Sequence, residues 1–152
     1  MGLPSRLAVP VIGVDTTTVP VGIAADGTME IDKNTERTAW YKLGPKPGEV
    51  GSAVIAGHYG WVRNQPSVFN NLNTLKANDT VQVYDDQNNL ATFIVKEVRS
   101  YDPTADATEV FRSSDGKAHL NLITCEGTWN ESLQTYSQRL VVFTDLISIS
   151  KT

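Results

Sequence analysis

The sequence is poor in the side chains that most often carry reaction chemistry. Its 152 residues include one cysteine, Cys125, and two histidines, His58 and His119. A single thiol excludes an intrachain disulfide and a cysteine-rich zinc site. No cluster of acidic residues is specific enough to assign a metal, and we expect neither a metal nor another cofactor. A reaction that needs a cysteine–histidine pair can therefore use only Cys125 with His58 or Cys125 with His119.

Long apolar runs and long basic runs are also missing. No stretch reaches the roughly 20 apolar residues of a membrane-spanning helix, and no signal-peptide core is visible. The net charge of −4, without a basic run, argues against nucleic acid or an anionic membrane surface as a partner. We interpret Met1-Gly2 as an introduced start. Residues 1–6 are then expected to be flexible, and a membrane anchor is expected only in a longer form of the protein.

The length fits a single domain over residues 1–152. Apolar and β-branched runs predict strands over residues 7–12, 19–23, 29–31, 52–56, 80–84, 90–101, 117–124 and 138–149. The spacing of Val68, Phe69, Leu72 and Leu75 predicts one short amphipathic helix, and a helical turn is expected over residues 109–112. About eight short strands predict a mainly β fold, and a closed barrel is favoured over a sandwich because closure removes exposed edges.

The cysteine is predicted to stand where an apolar strand gives way to a polar loop. Residues 120–124 precede Cys125, and residues 126–137 are polar. A thiol at such a junction can face a groove while the sheet holds its backbone. The alternative is an inert buried cysteine, which is favoured when a single cysteine is judged alone.

The other candidate residues are also unremarkable one at a time. His58 follows an apolar run and lies in a glycine-bounded turn, where a half-exposed loop histidine is the simpler interpretation. Arg139 begins an apolar strand, where arginine is usually a surface residue. His119 is interpreted as a surface residue within a strand. If the strands of Cys125 and Arg139 are antiparallel neighbours, thiol and guanidinium meet at one end of the barrel.

Three segments, in this order, resemble the signature of the sortases, the cysteine transpeptidases of Gram-positive-type cell surfaces: GSAVIAGHYG, LNLITCEGTW and SQRLVVFTDL. The LxTC element over residues 122–125, with Gly-His upstream and arginine downstream, carries the resemblance, which extends from about Leu7 to Leu146. The short connection over residues 102–115 disfavours class B, and no N-terminal lid typical of class C is evident. The sequence therefore looks closest to the small class F sortases or to classes D and E.

The resemblance implies an eight-stranded sortase β-barrel in which Cys125 is the nucleophile, His58 the acid/base and Arg139 the stabiliser. It further implies cleavage of an LPxTG-like sorting signal between Thr and Gly through a thioester, and transfer to an amine nucleophile of a cell-wall precursor or another protein. The expected partners are surface proteins with a C-terminal sorting signal, and the expected location is extracytoplasmic.

Four further residues are candidate substrate contacts. Thr124 belongs to the matching motif, whereas Tyr59, Trp61 and Trp129 are candidate walls for the Leu and Pro side chains of a substrate. Packing on the barrel explains these aromatic residues equally well.

Two other functions remain open at this level. One is a cysteine hydrolase of another fold that uses the same pair with water. The other is a non-catalytic β-barrel or β-sandwich binding module in which Cys125 is inert. A third possibility is a sortase-like scaffold that has lost activity.

Overall fold

A computed structural model describes residues 1–25, 27–102, 105–106, 108–130, 132 and 135–152, with the backbone alone for residues 125–130 and 135. It contains ten strands: β1 (Pro4–Val9), β2 (Val14–Val21), β3 (Thr38–Tyr41), β4 (Gly51–Ala56), β5 (Trp61–Val62), β6 (Gln65–Pro66), β7 (Thr80–Asp85), β8 (Asn89–Tyr101), β9 (Ala118–Asn130) and β10 (Thr135–Lys151). The described helical segments are α1 (Thr108–Phe111) and 3₁₀ turns at Pro10–Ile12 and Leu72–Thr74. Within the described residues, no helix combines the length and apolarity that crossing a membrane requires.

Eight of the strands close into a barrel in the order β1-β2-β3-β4-β9-β10-β8-β7. The mainly β fold and the closed eight-stranded barrel predicted from the sequence are thus confirmed. Two pairings, β2 with β3 and β4 with β9, are parallel, and the other six around the barrel are antiparallel. The parallel β4–β9 pair joins the strand that precedes His58 to the strand that contains Cys125.

Both faces of the sheet are apolar around β4. Ala53 and Ile55 point into the barrel with the main core, whereas Val54 lies in a second cluster with Val110 and Val141. Successive side chains of a strand point to opposite faces, so a continuous apolar run such as residues 53–55 serves two cores. The second cluster lies under α1 and includes the aromatic residues Tyr41, Tyr101, Phe111 and Phe143.

The predicted helix over Val68–Leu75 is wrong. The structure has only the 3₁₀ turn Leu72–Thr74 there, but Phe69 and Leu72 are fully buried. The apolar spacing therefore correctly indicated burial, while a few residues of turn are enough to deliver both side chains to the core. The predicted strand over residues 29–31 reduces to an isolated bridge between Ile23 and Met29.

The first residues are tied to the barrel, although flexibility is the expectation for residues 1–6. Pro4 begins β1, which pairs with β7, and the Gly2 amide donates to the Asp85 carboxylate. Asp85 is 5% exposed and also accepts hydrogen bonds from the Gln87 amide and from two nitrogens of Asn89. This carboxylate joins the start of the chain to the β7–β8 turn.

Replacing Asp85 by asparagine is expected to destabilise the protein in a pH-dependent way. Burial alone would raise the pKa of Asp85, but the hydrogen bonds from Asn89, Gly2 and Gln87 outweigh it and hold the pKa well below its ordinary value. A depressed carboxyl pKa stabilises the fold above the unfolded-state pKa of about 3.9, and this contribution is lost as the pH falls through the folded-state value. The side-chain NH2 of an asparagine would also face nitrogens that now donate to the Asp85 carboxylate. Leaving these buried donors without an acceptor should lower the free energy of unfolding by roughly 1–3 kcal/mol at pH 7.

Urea unfolding at several pH values checks this prediction. The difference between wild type and Asp85→Asn should be largest near neutral pH and should shrink below about pH 4. The matched control is Asp86→Asn, because Asp86 is exposed and its carboxylate accepts a hydrogen bond from the Leu3 amide, which an asparagine oxygen can also accept. Equal stabilities of wild type and Asp85→Asn at pH 7 would contradict the prediction.

Candidate active site

A pocket of about 930 Å³ lies over the outer face of the sheet, beside the second apolar cluster. His58 and Arg139 both line it. Its apolar wall comes from the loop after β2, from β3, from α1 and from the outer faces of β9 and β10, through Ile23, Met29, Tyr41, Phe111, Ile123 and Val141. The pocket is therefore an apolar groove with three basic side chains, Arg37, His58 and Arg139, in its lining.

Backbone pairing places Cys125 directly opposite Arg139. The two residues are Cα partners in the antiparallel β9–β10 pair, which is the arrangement expected from the sequence if they share a site. The predicted strand end at Cys125 is wrong, because β9 continues to Asn130 and β10 begins at Thr135. The polar residues after Cys125 pair across the ladder instead of forming a loop. The side chain of Cys125 lies outside the described residues.

His58 reaches the same region through the parallel β4–β9 pair. Ala56 and Ile123 are Cα partners, and the Gly57 amide donates to the Ile123 carbonyl at 3.1 Å. The Thr124 hydroxyl donates to the Gly57 carbonyl at 2.7 Å. The turn that contains His58 is thus fastened to β9 one and two residues before Cys125, so the backbones of His58, Cys125 and Arg139 come together in one region of the barrel wall.

The chain packs tightly behind the histidine. A Cβ atom on Gly57 would stand 2.6 Å from Cδ2 of the buried Phe69, and the Phe69 amide donates to the His58 carbonyl at 2.9 Å. Real Cβ atoms do not approach a ring this closely, so only glycine fits without a shift. The glycine before His58 is therefore explained by packing as well as by its motif.

The imidazole of His58 is half-buried and contacts the loop between β2 and β3. Its Nε2 atom hydrogen-bonds the carbonyl oxygen of Asp32, and the Asp32 carboxylate pairs with Arg37. The hydrogen bond from Arg37 lowers the pKa of Asp32 and outweighs the effect of burial, which would raise it. The Asp32 side chain is therefore ionised at neutral pH.

Of the predicted substrate contacts, Tyr59 and Thr124 line the pocket and Trp61 does not. Tyr59 stacks edge-on against Tyr136 with ring centroids 5.3 Å apart, and the Thr124 hydroxyl is held by Gly57. Trp61 stands 67% exposed in the β5–β6 hairpin, outside the pocket lining. Trp129 lies in β9, and its side chain is outside the described residues.

Several pocket residues were not predicted from the sequence, chiefly Asp32, Arg37 and Tyr136. Asp32 and Arg37 lie in a segment without apolar periodicity, so no pattern marks them. Tyr136 falls in the stretch predicted as a loop, where an aromatic residue pairing along a strand is not expected.

His119 has a different environment, although it lies on the same strand as Cys125. Its Nδ1 and Nε2 atoms are each 2.7 Å from a carboxylate oxygen, of Asp145 and Asp115 respectively. His119 lies six positions before Cys125 along the strand, or about 20 Å away. Its ring is only 12% exposed, which corrects the interpretation as an ordinary surface residue. Among the described residues, no group of three His, Cys, Asp or Glu side chains is placed to hold a metal ion.

Comparison with known proteins adds independent information. A family model described as a sortase domain matches residues 7–147. The fold is similar to that of sortase A of Listeria monocytogenes, with a TM-score of 0.74, 20% identity, and coverage of 100% of this chain and 92% of that one. It is also similar to sortase C-1 of Actinomyces oris, with a TM-score of 0.73, 24% identity, and coverage of 95% and 73%.

A third similar structure is a sortase D5 transpeptidase of Clostridium perfringens, with a TM-score of 0.69, 21% identity, and coverage of 97% and 79%. These three structures belong to differently named sortases, so the subclass stays a prediction. A search of the curated proteins found no match.

Proposed function

The chain belongs to the sortase family, whose members act on surface proteins at the Gram-positive cell surface, and we propose that it is a cysteine transpeptidase whose reacting residues are Cys125, His58 and Arg139. One observation supports this assignment most directly. The register of β9 and β10 sets Cys125 opposite Arg139, and the turn holding His58 is fastened to β9 beside them. A thiol, an imidazole and a guanidinium are the side chains that acyl transfer requires as nucleophile, acid/base and stabiliser.

The proposed reaction has two acyl transfers. The Cys125 thiolate attacks the carbonyl of the Thr–Gly bond, so that a C–S bond forms and the C–N bond breaks. His58 protonates the departing amine, and Arg139 stabilises the negative charge that develops on the carbonyl oxygen or holds the substrate backbone. An incoming amine then attacks the thioester, loses a proton to His58, and releases the thiolate with a new amide bond.

The pocket walls suit an LPxTG-like sorting signal. Ile23, Met29 and Val141 offer apolar contact for side chains such as Leu and Pro, and Arg139 lies where a peptide carbonyl can accept hydrogen bonds from its guanidinium. Pockets of roughly 300–1,000 Å³ hold ligands of this size. We propose surface proteins with a C-terminal sorting signal as the acyl donors, and an amine of a cell-wall precursor or of another protein as the acceptor.

A peptide panel tests the proposal. LPxTG variants are incubated with the enzyme, with and without triglycine, and products are followed by mass spectrometry. We expect cleavage between Thr and Gly, a thioester adduct at Cys125, and ligation to triglycine when it is added. Cys125→Ala serves as the blank and should form neither adduct nor product.

The two alternatives give different results in this assay. A hydrolase would release the same acid product whether or not triglycine is present. A scaffold without activity would cleave no variant and would form no adduct, which would refute the proposal.

A further inference from the structure

The segment over residues 32–37, here called the Asp32–Arg37 turn, is closed by a two-point ion pair. Nε of Arg37 pairs with Oδ2 of Asp32, and Nη2 lies 3.1 Å from Oδ1. Two parallel N–H···O bonds fix both groups in one plane. The Asp32 side chain is only 13% exposed, whereas Asp15, in the similar pair with Arg6, is 58% exposed. Solvent therefore weakens the Asp32–Arg37 pair less than it weakens the other.

The same turn has one further hydrogen bond of its own and is attached to the rest of the molecule at two points. The Asn34 side-chain oxygen accepts from the Glu36 amide at 2.9 Å, and the Thr35 carbonyl accepts from the Val68 amide at 2.9 Å. The Thr16 hydroxyl donates to the Glu36 carbonyl at 2.6 Å. The ion pair closes a turn that β2 and the segment after β6 already hold in place.

The turn presents one backbone atom to the proposed acid/base. The carbonyl oxygen of Asp32 contacts Nε2 of His58, and a carbonyl can only accept a hydrogen bond. Nε2 must therefore carry the hydrogen. In the neutral ring this leaves Nδ1 with the free lone pair, so the contact selects one of the two tautomers. In the protonated ring the same carbonyl still accepts from Nε2.

We propose that Asp32 and Arg37 are positioning residues that fix the ring orientation and the tautomer of His58. The inference rests on the proposed role of His58. Arg37 acts on the Asp32 carboxylate, the carboxylate fixes the turn, and the Asp32 carbonyl fixes the imidazole. The nitrogen that exchanges protons with the thiol and the departing amine is then Nδ1, which is available before substrate arrives.

The tautomer of His58 can be measured without any turnover. In ¹⁵N-labelled protein above the histidine titration range, the two imidazole nitrogens of each tautomer have distinct chemical shifts. We expect wild-type His58 to show the Nε2–H form. Arg37→Gln should shift His58 toward a mixture of tautomers, while His119, the second histidine, should keep its signals.

Activity provides the second measurement. Arg37→Gln should lower kcat by about ten-fold or more and leave KM little changed. A small displacement of a reacting group is enough to lower the rate by such a factor. Arg37→Lys keeps the charge but loses the two-point geometry, so it should restore kcat only in part. Arg6→Gln breaks the similar pair with Asp15 outside the pocket and should change neither kcat nor the His58 signals.

The outcomes separate this inference from the proposed function. Asp32→Asn keeps the size of the side chain and should have the same effects on kcat and on the His58 signals as Arg37→Gln. It replaces Arg37→Gln in the test if that variant folds poorly. Wild-type His58 signals in folded Arg37→Gln or Asp32→Asn would overturn the inference even if the enzyme is active. An increase in kcat would also overturn it, because it would show that the turn blocks His58. If no peptide is cleaved, the proposed function fails while the tautomer measurement still stands.

Discussion

Replacing Arg139 by lysine is expected to lower kcat/KM for a cleaved peptide by roughly 10²–10³-fold, the cost of removing one preorganised donor from a developing oxyanion. Arg139 lines the pocket with His58 and lies opposite Cys125 in the β9–β10 ladder. Lysine keeps the positive charge. It loses the planar fork that can donate two parallel hydrogen bonds, so charge alone should not sustain the rate.

Steady-state kinetics on the peptide panel measure this effect, and urea unfolding shows whether the variant is folded. Arg6→Lys is the matched control, because Arg6 forms an exposed ion pair with Asp15 and does not line the pocket. It should retain the wild-type rate. A rate for Arg139→Lys within about three-fold of wild type would contradict the proposed role, because that ratio is worth less than 1 kcal/mol.

Replacing Phe69 by alanine is expected to have the largest effect on stability, a loss of about 3–5 kcal/mol in the free energy of unfolding. The Phe69 ring is fully buried in the barrel core, directly behind Gly57. Its removal leaves a cavity that the rigid strands around it can fill only in part. The loss is a large fraction of the roughly 5–15 kcal/mol that stabilises an ordinary domain.

Urea unfolding at pH 7 measures the change, and Val50→Ala is the control, because Val50 is 68% exposed and should change stability by at most about 0.5 kcal/mol. A loss below about 1 kcal/mol for Phe69→Ala would mean that the core can collapse around the site. Phe69→Ala keeps the backbone amide that donates to the His58 carbonyl, so the activity of the folded variant shows whether the His58 turn also depends on the Phe69 ring.

The hairpin of β7 and β8 was predicted to within one residue at each end, whereas β3 was missed entirely. β7 and β8 are long, alternate in polarity and are joined by a turn rich in Asp and Asn, so local chemistry specifies them. The four residues of β3 carry no such pattern. They form a strand because β2 and β4 pair on either side, and loops separate β3 from both of these partners in the sequence.

The stretch after Cys125 shows the same limit. Its composition is typical of a loop, yet Glu126 is paired with Gln138, and Trp129 with Tyr136. A polar segment becomes a strand when a register already set by apolar residues, here Leu122 opposite Val142, continues past them to Glu126, and the ladder then resumes after a register shift between Tyr136 and Gln138. Local composition cannot reveal this, because the partner strand supplies the hydrogen bonds.

The sequence by itself determined the closed barrel, the order of the Gly-His, Thr-Cys and arginine elements, and hence the family, because alternation and motif order are local properties of the chain. Only the tertiary structure decided which backbone atoms face one another: Cys125 opposite Arg139, the His58 turn fastened to β9, and the Asp32 carbonyl on the imidazole. These contacts join segments separated by at least a dozen residues, and no local pattern encodes a distance between them.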